Sequence, residues 1–183
     1  MSKAEHRMTP KEWYRCMDAG ITAVRRPYLL PMSRNEGFQR ITIYHIPSFF
    51  DCTGWTVYEL PVSKSYVLQS VTWRQYADSK RIEDFEVGRV SSDAASQPTL
   101  VGATKPLDAS WFQAQLSKLA SMRVPLVCKG HLMCIADGES FGVHAQQEFD
   151  VEWQCDGPEE WGDLVRWTHE CIDHFRQLIP TGR

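Results

Sequence analysis

A chain of 183 residues that is 43% hydrophobic and 23% charged has the length and composition of one globular domain, able to bury about two-thirds of its unfolded surface without staples. Aromatic residues at 11%, seven of them Trp, exclude disorder over most of the chain. A net charge of −3 excludes nucleic-acid binding over the whole surface, which needs clustered Lys and Arg, and no run of apolar residues is long enough to span a membrane.

The N-terminal segment, MSKAEHRMTPKEW, is charged and lacks the apolar stretch of a signal peptide, which predicts a cytoplasmic protein. In that compartment the six cysteines, at 16, 52, 128, 134, 155 and 171, read as reduced thiols used as small hydrophobes.

Thr9-Pro10-Lys11-Glu12 opens a first helix, with Thr9 as cap and Glu12 completing a capping box, and Gly20 is its expected stop. Residues 25–37, with Pro27, Pro31, Asn35 and Gly37, read as a loop. Strands follow at Ile41–Ile46, Trp55–Leu60 and Ser65–Tyr76, where β-branched and aromatic residues alternate with polar ones. The polar stretch 77–97 reads as a mobile loop, and as an internal boundary too slight to divide the chain, so 1–183 is one domain. Asp108 caps a helix running through Met122, with Trp111, Phe112, Leu116, Leu119 and Ala120 facing inward.

Leu132–Ala136 and Glu139–His144 flank Asp137-Gly138, a two-residue hairpin signal. In the next strand Phe149, Val151 and Trp153 alternate with Glu148, Asp150, Glu152 and Gln154, an apolar face backed by an acidic one. Gly157-Pro158-Glu159-Glu160 starts a last helix, whose apolar stripe runs through Trp161, Leu164, Val165, Thr168, Cys171, Ile172, Phe175, Leu178 and Ile179. Strands in runs with helices set apart predict an α+β fold: an antiparallel sheet of about six strands, packed by the long C-terminal helix and the 108–122 helix.

The order of these last features, a DG hairpin, an alternating strand ending in Trp153, then Gly157-Pro158-x-x-Trp161 and a long apolar helix, resembles the C-terminal part of small uncharacterised bacterial proteins. Some of those look like immunity proteins of polymorphic toxin systems. The resemblance covers about a quarter of the chain, implies packing and capping roles for its residues, and carries over no catalytic one.

Several groupings were weighed for chemistry. Cys128, His131 and Cys134, with His144 across the hairpin, have zinc-ligand chemistry, but odd spacing on a strand sends His131 and Cys134 to opposite faces. His169 with Asp173 and Glu170 with His174 are neighbours on the last helix, and read as a solvated face rather than a metal site. His45, Asp51 and Cys52 contain a thiol and a base without showing that they meet. No Walker loop, dinucleotide-binding motif, HEXXH or CxxC occurs, and no nucleophile elbow is read; no metal or cofactor is implied.

The acidic face Glu148, Asp150 and Glu152 is the expected docking surface for a basic protein partner. The expected function is a non-catalytic protein-binding domain of immunity-inhibitor type. The alternatives are an enzyme of unrecognised class, working through a pocket at His45, Asp51 and Cys52 or at the helix histidines, and a structural subunit that self-associates through an exposed apolar patch.

Overall fold

The computed structural model describes residues 10–30, 37–86, 97–125, 138–145 and 149–180. Six strands, β1 (Phe38–Ile46), β2 (Cys52–Glu59), β3 (Tyr66–Trp73), β4 (Leu100–Leu107), β5 (Ser140–Ala145) and β6 (Phe149–Gln154), form one antiparallel sheet in the order β4-β3-β2-β1-β5-β6. Helix α1 (Pro10–Arg25) lies on one face. Helices α3 (Ala109–Ser121) and α4 (Gly162–Leu178) lie on the other, and α2 (Gln75–Glu86) follows β3. This is the α+β arrangement expected from the sequence.

Strand alternation sorts the central strands between two cores. Ile41 and Ile43 of β1, Trp55 and Val57 of β2, Leu68 of β3 and Phe141 and Val143 of β5 pack against Phe112 of α3 and Leu164, Trp167, Cys171, Ile172 and Phe175 of α4. The opposite parity, Tyr44, Cys52 and Trp73, packs with Val24, Met17 and Ile21 of α1. Because both faces of β2 are covered, seven of its eight residues are buried, Thr53 and Thr56 included, although its sequence alternates like a strand with one wet face.

Asp108 caps α3 as expected, its Oδ1 accepting the Trp111 N–H at 2.7 Å. Phe112 and Gln115 are the buried residues of that helix, while Ala120 is exposed rather than inward. The last helix begins with a 3-10 turn at Glu159–Trp161; Leu164, Thr168, Cys171, Ile172 and Phe175 of the expected stripe are buried, Trp161, Val165 and Leu178 only partly, and Trp167, outside the expected stripe, is buried with them.

The structure departs from the sequence expectations at α1, at the end of the third strand and at β4. Gly20 does not end α1: the helix runs through it to Arg25, and Gly20 is where the Trp73 ring lies against the helix. The third strand stops at Trp73 rather than Tyr76, and a helix over Gln75–Glu86 takes up the end of that expected strand and residues 77–86 of the expected loop. The cause is Asp78, 1% exposed, whose carboxylate accepts the Trp73 indole N–H at 2.7 Å and both the N–H and hydroxyl of Thr99 at 2.7 Å, and pairs with Arg81 at 2.9 Å. Strand β4 was not expected, because Gly102 and Pro106 weaken its signal; an edge position tolerates both. The expected strand 132–136, the Thr9 cap, residues 87–96 and Asp137 lie outside the described residues.

Candidate functional site

The acidic strand keeps its alternation: Trp153 is buried while Asp150, Glu152 and Gln154 are exposed. Its carboxylates face the side of the sheet that carries α1. Glu152 is paired there with the guanidinium of Arg25, at the end of α1, and accepts the Tyr44 hydroxyl at 3.2 Å. Arg25 also sits 5.7 Å from the centre of the Tyr44 ring. Gly142 makes this possible, since any Cβ there would collide with that ring. Burial, then the Glu152 charge, holds the Tyr44 phenol above its ordinary range, so the hydroxyl remains a donor. Asp150 is 71% exposed, 3.8 Å from His144, which stacks on Tyr28. Glu148 lies outside the described residues. The acidic row is thus partly spent on holding α1 to the sheet.

A second site is built on the opposite face of the sheet, where β1 and β3 end and β2 and β5 begin. A cleft of about 1110 Å³ opens there, lined by His45, Pro47, Phe50, Asp51, Thr53, Arg74, Tyr76, Ala77, Glu139, Arg176 and Pro180. The parity that places Ile41 and Ile43 in the α4 core carries His45 to the edge of that core, stacked on Phe141 at 4.6 Å between ring centres. Arg176, from the last turn of α4, donates to His45 Nδ1 at 3.0 Å. A guanidinium only donates, so Nδ1 is the acceptor, the ring proton is on Nε2, and it points to Glu139 at 3.2 Å. Burial holds the imidazole below its ordinary range against the opposing pull of Glu139, and the ring is neutral.

Across the cleft, Arg74 donates to Asp51 at 2.6 Å. Thr53 and Thr72 share a buried hydrogen bond of 3.1 Å beneath. The rim is apolar and open: Phe50 is 68% exposed and Tyr76 67%, with Phe49 beside them at 69%. Phe49 holds a left-handed backbone with φ of 65°, a conformation that costs a bulky residue about 1–3 kcal/mol.

The structure brings His45 and Asp51 to this cleft but sends Cys52 the other way. The Cys52 side chain is on the α1 face, fully buried, its thiol donating to Gln75 Oε1 at 3.1 Å and pushed up to about 12 by burial. A nucleophile–base pair of Cys52 and His45 is therefore not assembled. The helix histidines separate as well. His174 stacks on Trp111 at 3.9 Å, His169 leans on Phe141, and Glu170 pairs with Lys118 at 3.4 Å instead of with His174. Among the described residues no cluster of three or more metal-ligating side chains forms. Cys128, His131 and Cys134 lie outside those residues.

Sequence reasoning missed two residues of the cleft, Glu139 and Arg176. They reach His45 from far along the chain, so only strand register and helix placement could reveal them. It also missed that Gly138-Glu139-Ser140-Phe141-Gly142 has the spacing of a nucleophile elbow. The structure removes that meaning: Ser140 opens β5 and pairs with Ile46 and Gln154 inside the sheet, whereas an elbow is a strand-to-helix turn.

Comparison with protein-family models, curated proteins and solved structures yields no match. Among the described residues no helix is long and apolar enough to cross a membrane.

Proposed function

We propose that this chain is a non-catalytic protein-binding domain whose binding face is the aromatic-rimmed cleft at the His45 end of the sheet. One observation carries the reading: Phe50 and Tyr76 stand exposed together on a cleft that also holds the paired Arg74 and Asp51. Large rings and arginines around a desolvatable pocket are the composition of interface hot spots.

The immunity-type inhibitor suggested by the C-terminal resemblance fits such a domain and belongs to the same proposal. An enzyme reading has less support: both nitrogens of His45 are engaged, and the Cys52 thiol faces away from the cleft.

The test is affinity capture from a lysate of the source organism, read by mass spectrometry, with two sets of variants. Phe50→Ala with Tyr76→Ala is expected to abolish capture of a stoichiometric partner, and Asp150→Lys to leave it intact. Capture lost with Asp150→Lys and retained by the aromatic pair would return the binding face to the acidic strand.

A further inference from the structure

Arg176 is the one group of the cleft whose charge is not met by a carboxylate among the described residues. Its nearest polar partner, His45 Nδ1 at 3.0 Å, is neutral, and its other described contact is the Trp55 ring, 5.8 Å from ring centre to guanidinium carbon. Arg74, by contrast, is already matched to Asp51. The fixed tautomer of His45 keeps that imidazole from becoming a second cation, and holds the guanidinium in place by one of its five donors. The remaining donors are at a cleft of about 1110 Å³ with Phe50 and Tyr76 on its rim and the exposed Glu139 carboxylate on the far side of His45.

From this arrangement we infer that Arg176 is the seat for a carboxylate, carried by an acidic side chain of an extended partner segment, next to a bulky apolar side chain that lies against Phe50 and Tyr76. Charge decides the class of anion. Asp51 is already matched by Arg74 and Glu139 lines the same cleft, so a singly charged carboxylate is matched by the one open cation, while a phosphate dianion brings a second charge that Glu139 repels. Glu139 then accepts an N–H of the same segment. The inference rests on the binding reading above, and names the chemistry of what that face takes.

The probe is the blocked dipeptide N-acetyl-Phe-Asp-amide, with N-acetyl-Phe-Asn-amide as its uncharged counterpart, titrated into the full chain and followed by amide and arginine side-chain NMR shifts. Saturable shifts at His45, Glu139 and Arg176 are expected with the Asp peptide, with a midpoint at least about tenfold lower than with the Asn peptide. Arg176→Gln is expected to erase that difference while its spectrum stays folded, since Arg176 is at the surface. Equal midpoints for the two peptides, an unchanged difference in Arg176→Gln, or no saturable shift at those residues would each overturn the seat. A free-carboxylate N-acetyl-Phe-Asn that binds more tightly than the Asp amide would also overturn it, by assigning the site to a chain terminus. The two proposals fail separately. Partner capture that survives Arg176→Gln, with no peptide difference, removes the seat and leaves the binding face; a peptide difference without any captured partner does the reverse.

Discussion

Asp78 sits in a stretch whose composition suggests solvent, yet it is the buried junction of β3, α2 and the chain just before β4. Its carboxylate satisfies an indole N–H, a backbone N–H and a hydroxyl, and faces Arg81. Removing one partner of such a buried, hydrogen-bonded pair leaves the others desolvated and unmatched, at a cost of about 3–5 kcal/mol. Asp78→Ala is expected to lose that much in urea unfolding, with Trp73 fluorescence reporting the transition. A loss under about 1 kcal/mol would mean the network contributes little. The cysteines behave at the same scale. Burial pushes the thiols of Cys52 and Cys171 up to about 12, whereas Cys155 is partly exposed. At pH 8 roughly one in ten thousand of the buried thiols is a thiolate. Iodoacetamide should therefore label Cys155 in the native protein well before Cys52 or Cys171, as read by peptide mapping. His45 makes the stability pH-dependent. Burial and the positive charge of Arg176 lower its affinity for a proton below the ordinary 6.5, against Glu139, with His169 adding to the lowering. Between the folded value and 6.5 the unfolded chain holds more protons, so this contribution is complete above 6.5 and is lost as pH falls through the folded value. His45→Gln should flatten the stability–pH curve in that window; an unchanged slope would remove His45 as its source.

At the scale of elements, α1 shows why propensity is a poor guide when a helix is packed. An interior glycine costs a helix about 1 kcal/mol relative to alanine, so Gly20→Ala is stabilising on propensity alone. Trp73 reverses the sign. Its ring occupies the position where the Cβ of residue 20 would stand, and Trp73 itself is fully buried and tied to Asp78. Gly20→Ala is expected to destabilise the protein by about 1–3 kcal/mol through overpacking, checked by chemical denaturation. A gain in stability would show that Trp73 moves aside freely. Gly54 works in the same way under the end of α1, where a Cβ would strike the backbone of Val24. Two glycines, one in the helix and one in the sheet, thus let α1 lie close enough for Arg25 to reach Glu152.

Across the whole molecule, the two helical layers leave the two faces of the sheet with different characters. Toward β6, charges are matched: Arg25 and Tyr44 take Glu152, and His144 sits near Asp150. At the His45 end, rings are exposed and Arg176 has a neutral partner. That contrast moves the candidate binding face from the acidic strand to the cleft. It also fixes how the domain should respond to salt. An interface built on desolvated rings and a single carboxylate contact is expected to weaken only modestly between low and physiological ionic strength, whereas docking on an acidic strand through several charges would weaken steeply.

The fold class was legible because its signals are local. Alternation in 41–46, 55–60 and 149–154, the Asp108 cap, and the apolar stripe from Leu164 to Phe175 each depend on neighbours within a turn or a pleat, and all appear in the structure. The acidic and apolar faces of β6 were legible for the same reason. β4 was not, because an edge strand needs no buried alternation and tolerates Gly102 and Pro106. Nor was α2, whose polar sequence is anchored by one buried carboxylate. The cleft was half legible: His45 and Asp51 were candidates, but Glu139 and Arg176 meet His45 only through antiparallel register and the placement of the last helix. The sequence by itself determined the strand alternation and most of the apolar stripe of the last helix, since periodicity encodes facing along each element. Only the tertiary structure decided which charges are spent within the fold and which remain for a partner, because pairing depends on distance in space and not along the chain.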